Sequence, residues 1–346
     1  NGVPRLDYTN GTASILLEPQ STNLVTYSED FSDSSWTKTN ATITSDNITS
    51  PEGIVNADKI NISSDSLSGI RLFTQINNQE YNISAFVKKG SLSIVQFYVL
   101  EQGVAEYTFD INLINGTLGT IPSGLTNAKI ENYGNDWYRV SCNRTFTASA
   151  ANHGIGIVTN NGNGGNYYVW GFQLEEQSFA TSYIPTSGQS GGVTRAAETL
   201  NNAGNSDLIN STEGVLYAEI AALANPVDSP KNITISDGTP NNYVRIEYYQ
   251  DGRVYGNVYD GASVAANFVV NQSNFNKIAI QYSSSGSKLY VNGTGVNFAS
   301  KIFTSNTLNT IQFSSASGTS DFFGRCKTIA VFKEALSDTE LACLTS

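Results

Sequence analysis

The feature that most limits what this chain can become is its punctuation. Short runs of alternating apolar and polar residues succeed one another, each closed by a turn dipeptide, and helical periodicity is confined to the C-terminal end. The clearest case is NYVRIEYYQDGRVYGNVYDG at residues 242–261. Successive side chains of a strand point to opposite faces. Val244, Ile246 and Tyr248 therefore share one face with Val254, Gly256 and Val258. Tyr243, Arg245, Glu247 and Tyr249 share the other with Arg253, Tyr255, Asn257 and Tyr259. Asp251-Gly252 between the two runs is a hairpin turn signal. A chain built from many such units has to layer its sheets or close them, so an all-β, antiparallel sandwich or jelly-roll fold is expected.

Two trains of strands are legible. The first spans residues 15–183 and includes SWTKTNATIT, IRLFTQI, YNISAFVKK, SIVQFYVL, DWYRVSCNRTF and YYVWGFQLE. The second begins at EGVLYAEIAAL and runs through NITISDG, the 242–261 hairpin, NKIAIQYSSSGSKLYVNGTGV, NTIQFSS and KTIAVFKEAL. Between them, TSYIPTSGQSGGVTR has the character of a linker: Pro185 denies a ladder hydrogen bond and the glycines beyond it loosen the chain. The expected division is a jelly roll over 1–186 with an N-terminal arm at about 1–14, a linker over 187–209, and a second sandwich over 210–346. At the end, Ser337 and Glu340 are spaced as a capping box with Leu336 and Leu341 as its hydrophobic staple, which predicts one short helix.

Within YYVWGFQLE, strict alternation places Tyr168, Trp170, Phe172 and Leu174 on the core face of a closing strand. In NDWYRVSCNRTF the same rule puts Tyr138, Val140 and Cys142 together, so Cys142 is expected as a small buried hydrophobe. Cys326 and Cys343 lie on elements able to meet, which makes them a candidate disulfide.

Charge excludes several partners. The chain carries 19 Lys and Arg against 30 Asp and Glu, a formal net charge of −11. A phosphate-binding surface needs clustered cations, which are absent here, so nucleic acid is not expected as a partner. No apolar run approaches the ~20 residues that span a bilayer, so no membrane span is expected.

Catalytic chemistry is also poorly provided for. Histidine-based triads and zinc sites would all depend on His153, the one histidine of the chain, which sits in a turn-like ANHGIG and is expected in a surface loop. No phosphate-binding glycine motif comes after a strand. Glycoside hydrolysis needs only two suitably placed carboxylates, but none of the glutamates has an aspartate two residues on.

PRLDYTNGTASILLEPQSTNLVTYSEDFSDSSWTK, DWYRV, YVWGFQLEEQSFATSYIPTSG and VTRAAE together resemble a recurrent module of bacteriophage virion proteins, found in tail fibre, head fibre and related bacterial surface proteins. This resemblance covers roughly residues 4–198. Beyond 210, KLYVNGTGV and VFKEALSDTELACLT are similar to concanavalin A-like, laminin G-like sandwiches, whose glycosidase members carry Glu-x-Asp-x-x-Glu on one strand. That arrangement is missing here. The first half also resembles carbohydrate-binding jelly rolls, many of which hold a structural Ca²⁺ between the opening and closing segments of the fold. Carried over, this resemblance makes Glu29, Asp30 and Glu175 candidate oxygen ligands. Trp170-Gly171 stands where the family's usual acidic pair would be. No other cofactor is expected.

The polar face of the 242–261 hairpin supplies the candidate binding residues Tyr243, Arg245, Tyr249, Tyr255, Asn257 and Tyr259. Flat amphipathic rings beside planar hydrogen-bonding groups suit a sugar. They equally suit a protein contact, or reflect strand propensity alone. The expected function is that of a non-catalytic phage fibre or spike component on the virion surface. It would bind a host surface polysaccharide, contact other virion proteins, and gain avidity as a homo-oligomer. The alternatives are a structural virion decoration without glycan binding, and an accessory module of a polysaccharide depolymerase.

Overall fold

The computed structural model describes residues 5–8, 11–63, 67–160, 164–224, 230–301 and 303–346. Among the described residues the chain is all-β apart from one C-terminal helix, Asp338–Thr345. It divides into two compact units, Gln20–Ala196 on the one hand and the segment up to Pro19 together with Ala197–Ser346 on the other.

The Gln20–Ala196 unit is a sandwich of two six-stranded antiparallel sheets. One sheet runs in the order Thr117–Leu118, Ala105–Asn112, Ile94–Glu101, Ala150–Thr159, Ser68–Ile76, Trp36–Thr39. The other runs Thr126–Asn132, Trp137–Thr145, Glu80–Lys89, Gly165–Glu175, Val55–Ile62, Ala41–Thr49. Their inner faces meet in one apolar core that includes Trp36, Ile70, Phe97, Phe109, Val140, Ile155 and Phe172. Trp36 anchors it, edge-on to Phe31 at 4.9 Å and to Phe172 at 5.2 Å. Its indole N–H is not left unpaired, since it donates to Tyr27 O at 2.8 Å. Cys142 is fully buried in the same core, as alternation requires.

The closing strand departs from simple alternation. Phe172 and Leu174 enter the core as expected, but so do Tyr167 and Val169. Tyr168 and Trp170 instead lie on the outward face, against Ala57, Phe86 and Trp137. The register of this strand slips between Trp170 and Gln173, and Gly171 sits at φ +63. One extra residue at this bulge inverts the parity of everything before it. The side chain of Asn23 serves the bulge: its amide donates to Phe172 O at 3.1 Å and to Ile184 O at 2.8 Å, while its oxygen accepts from Leu174 N at 3.2 Å.

The second unit is also a sandwich. A seven-stranded sheet runs Arg5–Asp7, Ser14–Leu17, Gly324–Phe332, Gly214–Ala222, Asn276–Tyr282, Ser287–Val291, Thr294–Phe298. A five-stranded sheet runs Ser263–Val269, Arg253–Asp260, Asn242–Tyr248, Lys231–Ser236, Thr310–Gln312. The core between them includes Leu17, Leu216, Ile233, Ile246, Val254, Ile280 and Leu289. The predicted capping box is present: the Ser337 hydroxyl accepts from Glu340 N, and Glu340 Oε2 accepts from Ser337 N at 2.7 Å. The helix seats Leu341 against Val215, Tyr217, Ala279 and Tyr290.

These boundaries differ from those expected from the sequence. The N-terminal segment is not an arm of the jelly roll. Ser14–Leu17 pairs with Gly324–Phe332, burying Leu17 in the second core. In chain order the jelly roll is thus inserted into the other sandwich. Within the expected linker, Val193–Arg195 pairs with Ser21–Asn23 of the jelly roll, and Ile209 belongs to the second core. A four-residue strand whose partner lies some 300 residues later leaves no local trace of that pairing. Residues 1–4, 9 and 10 of the proposed arm lie outside the described residues.

The candidate disulfide is not formed: Cys326 and Cys343 are both free. Cys326 is buried in the core between the two sheets. Cys343 is exposed on the helix, whose buried residue Leu341 packs in a separate cluster with outward residues of the seven-stranded sheet. The two thiols thus belong to different sides of the sheet, away from the geometry a disulfide needs.

Candidate functional site

The hairpin folds as its sequence predicts. Asn242–Tyr248 and Arg253–Asp260 pair antiparallel with Tyr243 opposite Tyr259, Arg245 opposite Asn257 and Glu247 opposite Tyr255. Gly252 takes φ +77 in the turn, and Asp251 Oδ1 accepts from Arg253 N at 3.1 Å. Val244, Ile246, Tyr248, Val254 and Val258 are buried in the core. The six candidate residues accordingly share the outward face of the five-stranded sheet.

That face has two ends with different character. At the inner end, Tyr243 and Tyr259 stack with centroids 5.2 Å apart and planes 7° from parallel. The Arg245 guanidinium lies 4.6 Å from the Tyr243 centroid and pairs with Glu247 at 2.8 Å. Tyr243, only 9 % exposed, has its ring taken by these neighbours. It supports the site and does not itself offer a free stacking surface. Tyr259 stays half-buried, and its hydroxyl has no hydrogen-bond partner among the described residues.

At the outer end, Tyr249 and Tyr255 meet edge to face at 5.6 Å. The Tyr255 hydroxyl donates to Asp251 Oδ2 at 3.0 Å, and Arg253 Nη1 donates to the same oxygen at 2.9 Å. Against desolvation, the largest single influence and an opposing one, these bonds together hold the Asp251 carboxyl below its usual range. Tyr249 is 40 % exposed. Between the two ends, Asn257 accepts from Ser263 Oγ at 2.8 Å through Oδ1, leaving Nδ2 without a protein partner among the described residues.

Two flanking strands complete the face. Lys231–Ser236 places Thr234 beside Arg245 and Ser236 beside Tyr243. The chain after Phe313 folds over this side: Thr234 Oγ1 donates to Ser314 O at 2.6 Å and Asn232 Nδ2 to Ser320 O at 3.3 Å. On the other side, Ser263–Val269 sets Ser263, Ala265 and Asn267 beside Tyr259, Asn257 and Tyr255. The alternation in NITIS would have revealed Thr234 and Ser236 as members of this face. Ser263–Val269 is missing from the sequence-derived strands, because Ala265 and Val269 on its outward positions blur the apolar–polar alternation.

The calcium ligand set does not assemble. Glu175 is fully buried, with its carboxylate taken by Ser21 Oγ at 2.6 Å, Thr181 N at 3.1 Å and the Thr181 hydroxyl. Glu29 instead accepts from Tyr183 OH at 2.9 Å and Asn56 Nδ2 at 3.0 Å. Asp30 caps its own turn through Ser32 N at 3.0 Å. Among the described residues no group of three or more His, Cys, Asp or Glu side chains is arranged to hold a metal. The three carboxylates therefore do not fit a shared cation. Each is committed to local hydrogen bonds that its position in the fold imposes.

Two other polar groups are structural. Asp58 has its carboxyl pushed up to about 6 by burial, against the pull of hydrogen bonds from Asp46 N and Phe31 N, each at 3.0 Å. His153, expected in a surface loop, is fully buried in the strand Ala150–Thr159. Its Nδ1 accepts from Gln102 N at 3.1 Å and its Nε2 lies 2.9 Å from Ala148 O, so the tautomer is Nε2–H. Both ring nitrogens are spent on backbone, leaving none for catalysis or a metal.

Residues 219–342 match the concanavalin A-like lectin/glucanases superfamily. A search of curated proteins finds no match. Among solved structures, the Ruminococcus gnavus IT-sialidase CBM40 bound to alpha2,3 sialyllactose is similar at 16% identity, covering 43% of this chain and 97% of that one, with a TM-score of 0.35. Domains LG4-5 of the mouse laminin alpha1 chain are similar at 12% identity over 80% of this chain and 90% of theirs, TM-score 0.29. Trypanosoma rangeli sialidase is similar at 9% identity over 83% of this chain and 60% of its own, TM-score 0.33.

Proposed function

We propose that this protein is a non-catalytic attachment component of a bacteriophage virion, a fibre or spike element displayed at the virion surface, which binds host surface glycan through the tyrosine face of its second sandwich. The observation that carries the reading is the pairing of partly exposed rings, Tyr249, Tyr255 and Tyr259, with unpartnered polar atoms between them. A pyranose presents an apolar C–H face to a ring and hydroxyls to planar neighbours, so both components are needed. The match of residues 219–342 to a lectin-containing superfamily supports carbohydrate as the ligand class. The virion setting rests on the N-terminal sequence resemblance. Repetition of weak sites in a homo-oligomer multiplies affinity by avidity, ~10²–10⁴ over a single site.

The experiment is a pull-down of host envelope polysaccharide, with Tyr249→Ala/Tyr255→Ala as control and reducing-sugar release monitored in parallel. The reading expects capture by the parent protein, loss in the variant and no sugar release. Capture of other virion subunits in place of polysaccharide would favour the structural-decoration reading. Sugar release would favour the depolymerase reading.

A further inference from the structure

We infer that the glycan held by the tyrosine face is a neutral oligosaccharide and not an acidic one; this rests on the reading of that face as glycan-binding. The charged side chains on the hairpin's outward face and turn are Arg245, Glu247, Asp251 and Arg253, and they cancel in pairs. Arg245 Nη2 is bound to Glu247 Oε2 at 2.8 Å, with these side chains only 18% and 10% exposed. Its guanidinium is laid on Tyr243, and its Nε is buried without a hydrogen-bond partner among the described residues. Arg253 Nη1 is bound to Asp251 Oδ2 at 2.9 Å.

Recognition of a sugar carboxylate by arginine uses the open fork of the guanidinium in a bidentate contact. Here each guanidinium already gives one nitrogen to a carboxylate of the protein, so its charge is neutralised where it stands. An acidic sugar would have to displace Glu247 or Asp251, or lie beside it and be repelled, in a chain that already carries a net charge of −11. A neutral sugar meets no such conflict. Its hydroxyls donate to these carboxylates and accept from Asn257 Nδ2, while its ring stacks on tyrosine.

The same geometry sets the length. Tyr255 and Tyr259 are four residues apart on one strand, ~13 Å at ~3.3 Å per residue. One pyranose does not bridge that distance, so engaging both ends of the face takes several sugar units.

The test compares oligosaccharides of one backbone, neutral or carrying a carboxylate, binding to the intact protein at low and high salt. The expected result is that the neutral form binds at least about tenfold tighter, that its affinity changes less than about twofold with salt, and that Glu247→Gln, by releasing Arg245, narrows or reverses the preference. Tighter binding of the acidic form, weakening with salt, would overturn the inference while leaving the glycan reading standing. Failure of both forms to bind would instead bring down the glycan reading itself, and this inference with it.

Discussion

In each unit an outward sheet face sets aromatic rings beside arginine, and these two faces have opposite fates. In the jelly roll, Phe86, Trp137 and Trp170 project from neighbouring strands, with Arg139 placed 5.3 Å over Phe86. Beyond the closing strand, the chain returns over them and sets the Tyr183 ring 4.5 Å from Trp170. Trp170 ends only 3% exposed. In the second sandwich, Tyr243, Tyr249, Tyr255 and Tyr259 project in the same manner, with Arg245 over Tyr243. Among the described residues, loop hydrogen bonds cover the Asn232–Thr234 side, and Tyr249 keeps 40% of its surface. The same local chemistry becomes a second small core in one unit and an open platform in the other. What distinguishes them is where the covering segment of chain runs.

The contrast can be broken at several points. The largest effect is expected from Trp170→Ala. Emptying a site walled by Phe86, Trp137 and Tyr183 should cost the jelly roll about 3–5 kcal/mol, read by denaturant unfolding, while glycan binding by the second unit persists. A cost below about 1 kcal/mol would mean that the outward cluster is not a packed core.

Next comes pH. The folded Asp58 carboxyl titrates near 6, above its ordinary value of 3.8. The native state therefore holds this proton more tightly than the unfolded chain, and the stability it contributes is fully present below about pH 4 and lost as pH rises through 6. The jelly roll's unfolding free energy should fall by on the order of 2 kcal/mol across that window, and Asp58→Asn should flatten the slope. A slope unchanged in the variant would assign the effect to other groups.

A smaller loss is expected from Gly171→Ala, at φ +63 and with a Cβ that would come 2.9 Å from the Phe86 ring. The left-handed backbone alone should cost about 1–2 kcal/mol. Thermal unfolding of the variant reads this, and an unchanged Tm would show that the bulge does not require glycine. Smallest of all, Tyr249→Ala/Tyr255→Ala should shift stability by no more than about 0.5 kcal/mol, as expected of surface side chains. A larger shift in its unfolding midpoint would show that the two rings pack as core.

Local periodicity determines much of this structure. The hairpin at 242–261, the burial of Cys142 and the capped terminal helix are each decided by residues within one or two turns of chain. Alternation misplaces Trp170 because a single glycine bulge inverts parity. Phase beyond a bulge is invisible unless the bulge itself is recognised, and Gly171 is its one visible mark. The glycines around His153 look like a turn in sequence, yet in the sheet they give the strand room. The membership of Ser14–Leu17 in the second sandwich, the opposed positions of Cys326 and Cys343, and the dispersal of Glu29, Asp30 and Glu175 all depend on long-range pairing. At the tyrosine face, alternation sorts residues onto the correct side but cannot show that Tyr243 is spent on Tyr259 and Arg245.

The proposed glycan binding at this site depends on the openness of one sheet face. Its most direct measurement is equilibrium binding of host-envelope oligosaccharide to the intact protein and to Tyr249→Ala/Tyr255→Ala, both confirmed folded. Removing two anchor rings should weaken binding by about 2 kcal/mol or more, ~30-fold. Equal affinity in the parent and the variant would contradict it.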